Sequence, residues 1–185
     1  VIKADAYGHG AVRVARALHR EGVKSFAVAT LDEGIELRRH GIHGEILILG
    51  WTDPARARSI WLHRLSQTVT DADYALELSH KGLPVRCHLA VDTGMHRIGI
   101  GVKYPEMAAV IAEDRPLRIE GVFSHLCCTE NEAFTHLQME RFAAFLAKCE
   151  ELGVHFRKKH LWNSGAILSY NDSEGYDYAR AGISL

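Results

Sequence analysis

Short apolar runs alternate with longer amphipathic segments along the whole chain. The short runs favour strands, predicted over residues 1–3, 26–29, 46–49, 66–70, 85–91, 119–123, 160–162 and 178–181. The longer segments carry apolar residues at helical spacing, and several are closed by a glycine. They predict helices over residues 11–20, 31–40, 72–80, 104–113 and 132–152. Only the connection between the third and fourth strands lacks a clear pattern.

This alternation of strand and helix indicates an α/β fold. Parallel strands need crossover connections, and those connections are usually helices. The pattern therefore predicts a parallel (β/α)8 barrel of the TIM type, with an open doubly wound sheet as the alternative. No internal repeat, low-complexity tract or linker divides the chain, so residues 1–185 are predicted to form one domain.

Composition narrows the possible functions. The chain has 185 residues, 47% of them hydrophobic, and a formal net charge of -1, which gives no electrostatic bias toward nucleic acid. It contains no apolar run long enough to span a membrane. Its four cysteines lack the spacing of a disulfide framework, and its twelve histidines are scattered without a metal-binding pattern. We expect reduced thiols, no metal site and a cytoplasmic location. Because Val1 begins abruptly inside an apolar segment, we also expect a piece of a longer protein.

Lys3 is the first candidate for chemistry. It follows the apolar pair Val1-Ile2, where a core strand would continue with another hydrophobic residue. At a barrel mouth, burial lowers the pKa of a lysine, and a neutral amine is what Schiff-base chemistry with an aldehyde cofactor needs. The alternative is a strand-end lysine whose charged end reaches water.

Four segments in order along the chain resemble the alanine racemases, a family of fold-type III enzymes that use pyridoxal 5'-phosphate (PLP). The segments are KADAYGHG from Lys3, DTGMHRIG from Asp92, NSGA from Asn163 and YARAGIS from Tyr178. The resemblance implies that Lys3 carries PLP and acts as one of two racemisation bases.

The resemblance also assigns the phosphate end of the cofactor site. Tyr7, Ser164 and the backbone amides of Gly182 and Ile183 would hold the phosphate. A strand that gives way to a short helix at Ser164 would present free amides, which favour an anion. From the residues alone, Ser164 could equally be a helix N-cap.

Arg180 would face the pyridine nitrogen of PLP. A guanidinium keeps its protons and can only donate, so the ring nitrogen stays unprotonated. A neutral pyridine withdraws electrons less strongly, which disfavours the reprotonation at the cofactor that would give transamination. The alternative for Arg180 is a surface arginine.

The remaining predicted site residues would surround the substrate and the ring. Arg97 would lie near the phenolic oxygen of PLP and the substrate carboxylate. His125 would pack beside the ring, His160 would orient Arg180, and Asn163 would complete the polar wall. On sequence alone, both histidines could be satisfied core residues.

One position departs from the family. Many alanine racemases have a lysine, often carbamylated, seven residues before the arginine that Arg97 matches, whereas this chain has Ala90. Residues 29–34 and 48–54 are similar to a subgroup fused to membrane domains in vancomycin resistance, which acts on serine and alanine.

The resemblance thus implies racemisation of alanine, with serine as a further substrate, to supply D-amino acid for peptidoglycan. The second base would be a tyrosine on a C-terminal β-domain, contributed by the partner subunit of a homodimer. That domain lies outside this chain, which would be incomplete at both ends, and any membrane anchor would also lie outside it. The alternatives are a PLP carrier or regulatory barrel without racemase activity, and a fold-type III decarboxylase.

Overall fold

The computed structural model describes residues 1–170 and 175–184, and its centre is a parallel sheet curved into a barrel. Seven strands follow one another in the order β1, β2, β3, β4, β6, β7, β8, and the short β5 pairs with the end of β4. All of these pairs are parallel. The strands are β1 (Ser25–Val28), β2 (Glu45–Ile48), β3 (Ser66–Val69), β4 (Arg86–Asp92), β5 (Ile100–Gly101), β6 (Arg118–Phe123), β7 (Lys158–Asn163) and β8 (Tyr178–Arg180). The predicted barrel class is confirmed, and β5 is a strand that the pattern did not predict.

The helices lie between the strands, as a barrel requires. They are α1 (Lys3–Tyr7), α2 (Ala11–Arg20), α3 (Leu31–Arg39), α4 (Ala57–Leu62), α5 (Ala72–Ser79), α6 (Pro105–Glu113), α7 (Glu132–Glu151) and α8 (Ser164–Ser169). The five predicted helices are all confirmed to within a residue at each end. The unclear connection between the third and fourth predicted strands holds a 3-10 turn, Pro54–Arg56, followed by α4.

The prediction of a strand over residues 1–3 is wrong. The backbone nitrogen of Val1 donates to the Ala181 carbonyl, and that of Ile2 donates to the Ala27 carbonyl over 2.8 Å. The segment therefore joins the end of β8 to β1 and closes the barrel. Its chain then turns away at Lys3, so too few residues remain to form a ladder with either neighbour.

Apolar side chains pack in two places. The larger cluster lies between the strands and the outer helices and includes Phe142 and Phe145 of α7, both almost fully buried. Burying a side chain of this size stabilises the fold by about 1.5–3 kcal/mol. A smaller cluster of Ala27, Leu47, Ala90 and Phe123 fills part of the barrel interior. The remainder of that interior holds polar side chains, including the fully buried Ser66 and His88.

All four cysteines are free thiols, so packing and hydrogen bonds hold the described barrel together without a crosslink. No described helix is both long and apolar enough to cross a bilayer. Across residues 1–170 and 175–184, no group of three or more histidine, cysteine or acidic side chains is placed to hold a metal ion.

Candidate active site

A cavity of about 420 Å³ opens where the barrel strands end and their following loops begin. Functional residues of parallel barrels gather at this face. The cavity is lined by every predicted site residue except His160, which is buried beneath it: Lys3, Tyr7, Arg97, His125, Asn163, Ser164, Arg180, Gly182 and Ile183. Residues separated by up to 180 positions in the sequence thus meet at one site.

Lys3 and Tyr7 reach this cavity from the two ends of an unusual turn. The four residues after Lys3 have φ angles between 50° and 55°, in the left-handed region. Left-handed backbone costs an ordinary L-residue roughly 1–2 kcal/mol. Contacts elsewhere in the fold must therefore hold the turn in place.

Glu33 supplies much of that support. Its Oε1 accepts a hydrogen bond from the backbone nitrogen of Ala4 at 2.7 Å, and its Oε2 accepts one from Ala29 at 2.6 Å. It also completes a capping box with Thr30 at the start of α3. One carboxylate thereby fixes both the α3 terminus and the backbone next to Lys3. The sequence signal for this role was the Thr30-x-x-Glu33 spacing.

Tyr7, Ser164 and Gly182 form one corner of the cavity. A Cβ added at Gly182 would lie 2.5 Å from the Tyr7 hydroxyl, so only glycine fits there. The Gly182 amide donates to Ser164 Oγ at 2.9 Å. Ser164 is the first residue of α8, and the N-cap is Asn163, whose Oδ1 accepts from Ala166 at 3.0 Å. The N-cap alternative for Ser164 is therefore wrong, and its hydroxyl belongs to this corner.

Arg180 is 8% exposed, so the surface-arginine alternative is also wrong. Its Nη1 donates to His160 Nδ1 at 2.8 Å, and its Nη2 donates to the carbonyls of Ser124 at 2.6 Å and Leu161 at 3.1 Å. Burial, and then the nearby charge of Arg97, lowers the pKa of Arg180 to about 9, which leaves it protonated at neutral pH. Within the described part of the chain its Nε takes part in no hydrogen bond. The side chain thus retains one donor.

Two histidines near Arg180 are neutral at physiological pH. Burial, followed by the charges of Arg180, Arg97 and Lys3, lowers the pKa of His125 to about 4. Burial likewise holds the pKa of His160 well below its ordinary value. The cavity therefore presents a neutral imidazole ring at His125 beside cationic arginines.

The loop that carries Arg97 is shaped by its own sequence. Asp92 Oδ1 accepts from the backbone nitrogens of Gly94 at 2.9 Å and His96 at 3.0 Å. Gly99 has a φ of 112°, and a Cβ there would lie 2.9 Å from the Ala90 backbone. Arg97 itself is exposed, and no hydrogen bond from its guanidinium to another described residue is present. Ala90 lines the cavity but offers no polar group to support it.

Comparison with known proteins matches this arrangement to one family. Residues 1–185 match the family described as "Alanine racemase, N-terminal domain". The chain belongs to the alanine racemase family. It is 40% identical to an alanine racemase of Carboxydothermus hydrogenoformans, covering 100% of this chain and 52% of that protein. It is 39% identical to a serine/alanine racemase of Enterococcus gallinarum, covering 100% of this chain but 27% of that protein.

A solved structure of an alanine racemase family member has the same fold. The alanine racemase of Clostridium difficile 630, in complex with cycloserine, superposes with a TM-score of 0.93 at 34% identity, covering 98% of this chain and 52% of that one. The chain thus spans about half the length of these two alanine racemases and 27% of the serine/alanine racemase.

Alanine racemases are PLP-dependent, and the residues of this cavity suit that cofactor. PLP needs an amine for its aldehyde, donors for its phosphate and a partner for its ring nitrogen. Lys3 offers the amine, the hydroxyls of Tyr7 and Ser164 lie together at one corner of the cavity as donors for the phosphate, and Arg180 retains a free donor.

One buried residue near the site escaped the sequence analysis. Gln138 of α7 donates from Nε2 to Thr93 Oγ1 and to the His125 carbonyl, both at 3.0 Å, and its Oε1 accepts from the Cys127 backbone at 3.1 Å. It ties the loop of Arg97 to the loop of His125. The available signal was its place on the buried face of α7, where the other large side chains are apolar.

Proposed function

We propose that this chain is the PLP-binding barrel of an amino-acid racemase that interconverts the L- and D-forms of alanine. The observation that carries the proposal is the convergence of Lys3, Arg180 and the Tyr7, Ser164 and Gly182 corner on one cavity. D-alanine formed in this way would supply peptidoglycan synthesis in the cytoplasm.

Within this proposal, Lys3 supplies the amine that holds the cofactor and moves the Cα proton on one face of the substrate. When bound, PLP supplies an electron sink for negative charge at Cα. Arg180 directs its remaining N–H toward the ring nitrogen and, being unable to accept a proton, keeps that nitrogen unprotonated.

The other cavity residues bind and orient. Tyr7, Ser164 and the amides of Gly182 and Ile183 hold the phosphate. The exposed guanidinium of Arg97 pairs with the carboxylate of the amino acid, since its fork of donors is not used elsewhere in the described structure. Neutral His125 packs beside the ring without adding charge, and Asn163 lines the polar wall.

Racemisation also needs a base on the opposite face of Cα. Tyr7 belongs to the phosphate corner and does not fill that role. We assign the second base to a tyrosine in a further domain, contributed by the partner of a homodimer. The greater length of the relatives supports this assignment.

Serine is the second substrate we propose, because a relative named serine/alanine racemase is as similar to this chain as the alanine racemases are. The decarboxylase alternative lacks support, since Arg180 occupies the position where electron withdrawal calls for an acid. The carrier alternative leaves the unpaired donors of Arg97 without a purpose.

The test is borohydride reduction of the protein with PLP, followed by peptide mapping. We expect the label on Lys3, and no such label in the Lys3→Arg variant. The full-length protein should then form D-alanine, and D-serine, from the L-isomers. A label on Lys24 or Lys81, or the absence of D-isomers at full cofactor loading, would contradict the proposal.

A further inference from the structure

A continuous hydrogen-bonded network of polar side chains crosses the barrel interior beneath the cavity. Glu45 Oε1 lies 3.0 Å from His88 Nε2, His88 Nδ1 lies 2.8 Å from His160 Nε2, and His160 Nδ1 lies 2.8 Å from Arg180 Nη1. These residues belong to β2, β4, β7 and β8, which are not all neighbours in the sheet. The network therefore spans the barrel and ends at the cavity.

The direction of every hydrogen bond in this network is fixed by the residues at its two ends. Arg180 can only donate, so His160 Nδ1 must accept and the proton of this neutral ring lies on Nε2. That proton is donated to His88 Nδ1, which must therefore be unprotonated. His88 then carries its proton on Nε2 and donates to the Glu45 carboxylate. Both rings are neutral Nε2–H tautomers, because a charged His88 would place two protons between the rings.

The end of the network far from the cavity is the Glu45 carboxylate, an anion. Burial alone would raise the pKa of Glu45, but the hydrogen bonds from His88 and Lys158, together with the charge of Lys158, outweigh that effect and hold its pKa below the ordinary value. Lys158 Nζ lies 3.0 Å from both Glu45 oxygens and 3.1 Å from Glu120 Oε2. Lys158 is thus the cation that Glu45 pairs with, and His88 contributes a hydrogen bond from a neutral ring.

The two rings are held in place by packing. Gly121 of β6 makes room for His88, since a Cβ there would lie 2.6 Å from the ring. Phe123 stacks on His160 with ring centroids 5.0 Å apart and planes inclined by 15°. The Arg180 guanidinium lies over the same phenyl ring at 5.2 Å. Neither ring can turn over without a clash or the loss of a buried hydrogen bond.

We propose that Glu45 is a positioning residue for Arg180, acting through His88 and His160 in fixed tautomers. The carboxylate gives His88 a constant acceptor, so that His160 in turn presents an acceptor to Arg180, and the two neutral rings keep the carboxylate away from the cavity. An acid in contact with a pyridine nitrogen would favour its protonation. The arrangement stabilises the cationic arginine without that effect, and its value for catalysis rests on the proposed function.

The unaltered full-length protein provides the first test. Histidine ring ¹⁵N spectra, recorded with and without PLP, should show His88 and His160 as neutral Nε2–H tautomers in both states. A protonated ring, or a proton on Nδ1 of either residue, would overturn the proposal. This readout needs neither a variant nor activity.

Glu45→Gln is the variant that tests the role of the charge. Its amide oxygen can still accept from His88, and both tautomers remain fixed from the Arg180 end, but the acceptor at the far end is no longer an anion, so the hydrogen bonds from there to Arg180 are weaker. We expect the ring ¹⁵N signals of His88 and His160 to shift and the PLP affinity to fall by roughly tenfold, which is comparable to the loss on removing a residue that orients a metal ligand.

Glu120→Gln is the matched control, because it removes the other carboxylate on Lys158 without touching either histidine. We expect its histidine ring spectra to match those of the unaltered protein and its PLP affinity to stay within about twofold. Equal behaviour of the two variants would overturn the proposal. The unaltered protein could instead bind no PLP at Lys3 and still show the predicted tautomers. That result would contradict the proposed function but not the hydrogen-bonded network from Glu45 to Arg180.

Discussion

Gly182 shows how one missing Cβ shapes a binding corner. The Tyr7 hydroxyl occupies the space where that atom would lie, and the Gly182 amide points to Ser164 Oγ. The glycine is required by this close approach, since its backbone does not adopt a left-handed conformation.

Gly182→Ala should therefore weaken PLP binding. Overpacking of this kind costs about 1–3 kcal/mol, and a displaced Tyr7 hydroxyl at the phosphate end should raise the Kd for PLP roughly tenfold. Fluorescence titration of the full-length protein with PLP measures this change.

Gly101→Ala serves as the control, because its Cβ would meet Tyr104 at an ordinary 3.5 Å and lies away from the cavity lining. An unchanged Kd in Gly182→Ala would show that this corner does not hold the phosphate.

At the scale of single residues, motif resemblance located the cavity lining, but not the residues that support it. The supporting residues make contacts over long sequence distances. Glu33 binds the Ala4 backbone, 29 positions away, and Gln138 binds Thr93, 45 positions away. His88 lies 43 positions from Glu45 and 72 positions from His160. A local pattern carries no information on such partners. His160 was predicted to orient Arg180, and its 2.8 Å contact supports that role, which stays a proposal.

Helix α7 connects the outer layer of the barrel to the site. Its buried positions follow helical spacing, and hydrogen bonds from Gln138 and Arg141 reach the loops of His125 and Arg97. A polar residue at this position buries less apolar surface than a hydrophobic one, but its hydrogen bonds hold two loops of the site in place.

Gln138→Met should destabilise the fold. It leaves the part-buried N–H of Cys127 and carbonyl of His125 without their partner, while Thr93 Oγ1 keeps its bond to Ser124, and each buried group left unpaired costs about 1–3 kcal/mol. The midpoint of urea unfolding, followed by circular dichroism, measures the loss. Glu140→Met on the exposed face of the same helix should stay within about 0.5 kcal/mol. Similar midpoints for the two variants would contradict the role of Gln138.

Helices were more predictable than strands at the scale of elements. Gly22, Gly41, Gly82 and Gly153 have positive φ just beyond helix ends, so local chemistry marked those ends. The first predicted strand failed because residues 1–2 have the right apolar character, but the left-handed turn after them depends on distant support from α3.

For the whole molecule, buried titratable groups set a dependence of stability on pH. The folded-state pKa of His125 is lowered to about 4 from the ordinary 6.5, so below pH 6.5 the unfolded chain binds a proton that the folded chain does not. His160 acts in the same direction. Stability is therefore full above about pH 6.5 and falls as the pH drops toward about 4. The contribution of Glu45 is lost at lower pH, from 4.5 down to about 2.

Urea unfolding at several pH values should reveal this loss between pH 7 and pH 5. His125→Gln should flatten the dependence, since it removes one of the groups that resist protonation. His136→Gln, at an exposed position of α7, should leave it unchanged. A free energy of unfolding that is constant over this range would show that the two histidines are not buried as neutral groups.

The architecture of the whole molecule was accessible from sequence because strand and helix alternate regularly, which only a few topologies accommodate. The contacts that close the barrel were not, since they are single hydrogen bonds from Val1 and Ile2 to chain segments far away in sequence.

The left-handed turn after Lys3 has a consequence for how the protein matures. A free peptide of this sequence has no reason to adopt four consecutive left-handed residues, so Lys3 and Tyr7 come together only when Glu33 and the edges of the sheet are already in place. A newly synthesised or misfolded chain carries an ordinary surface lysine. The arrangement of Lys3 beside Tyr7 therefore forms only as the barrel closes.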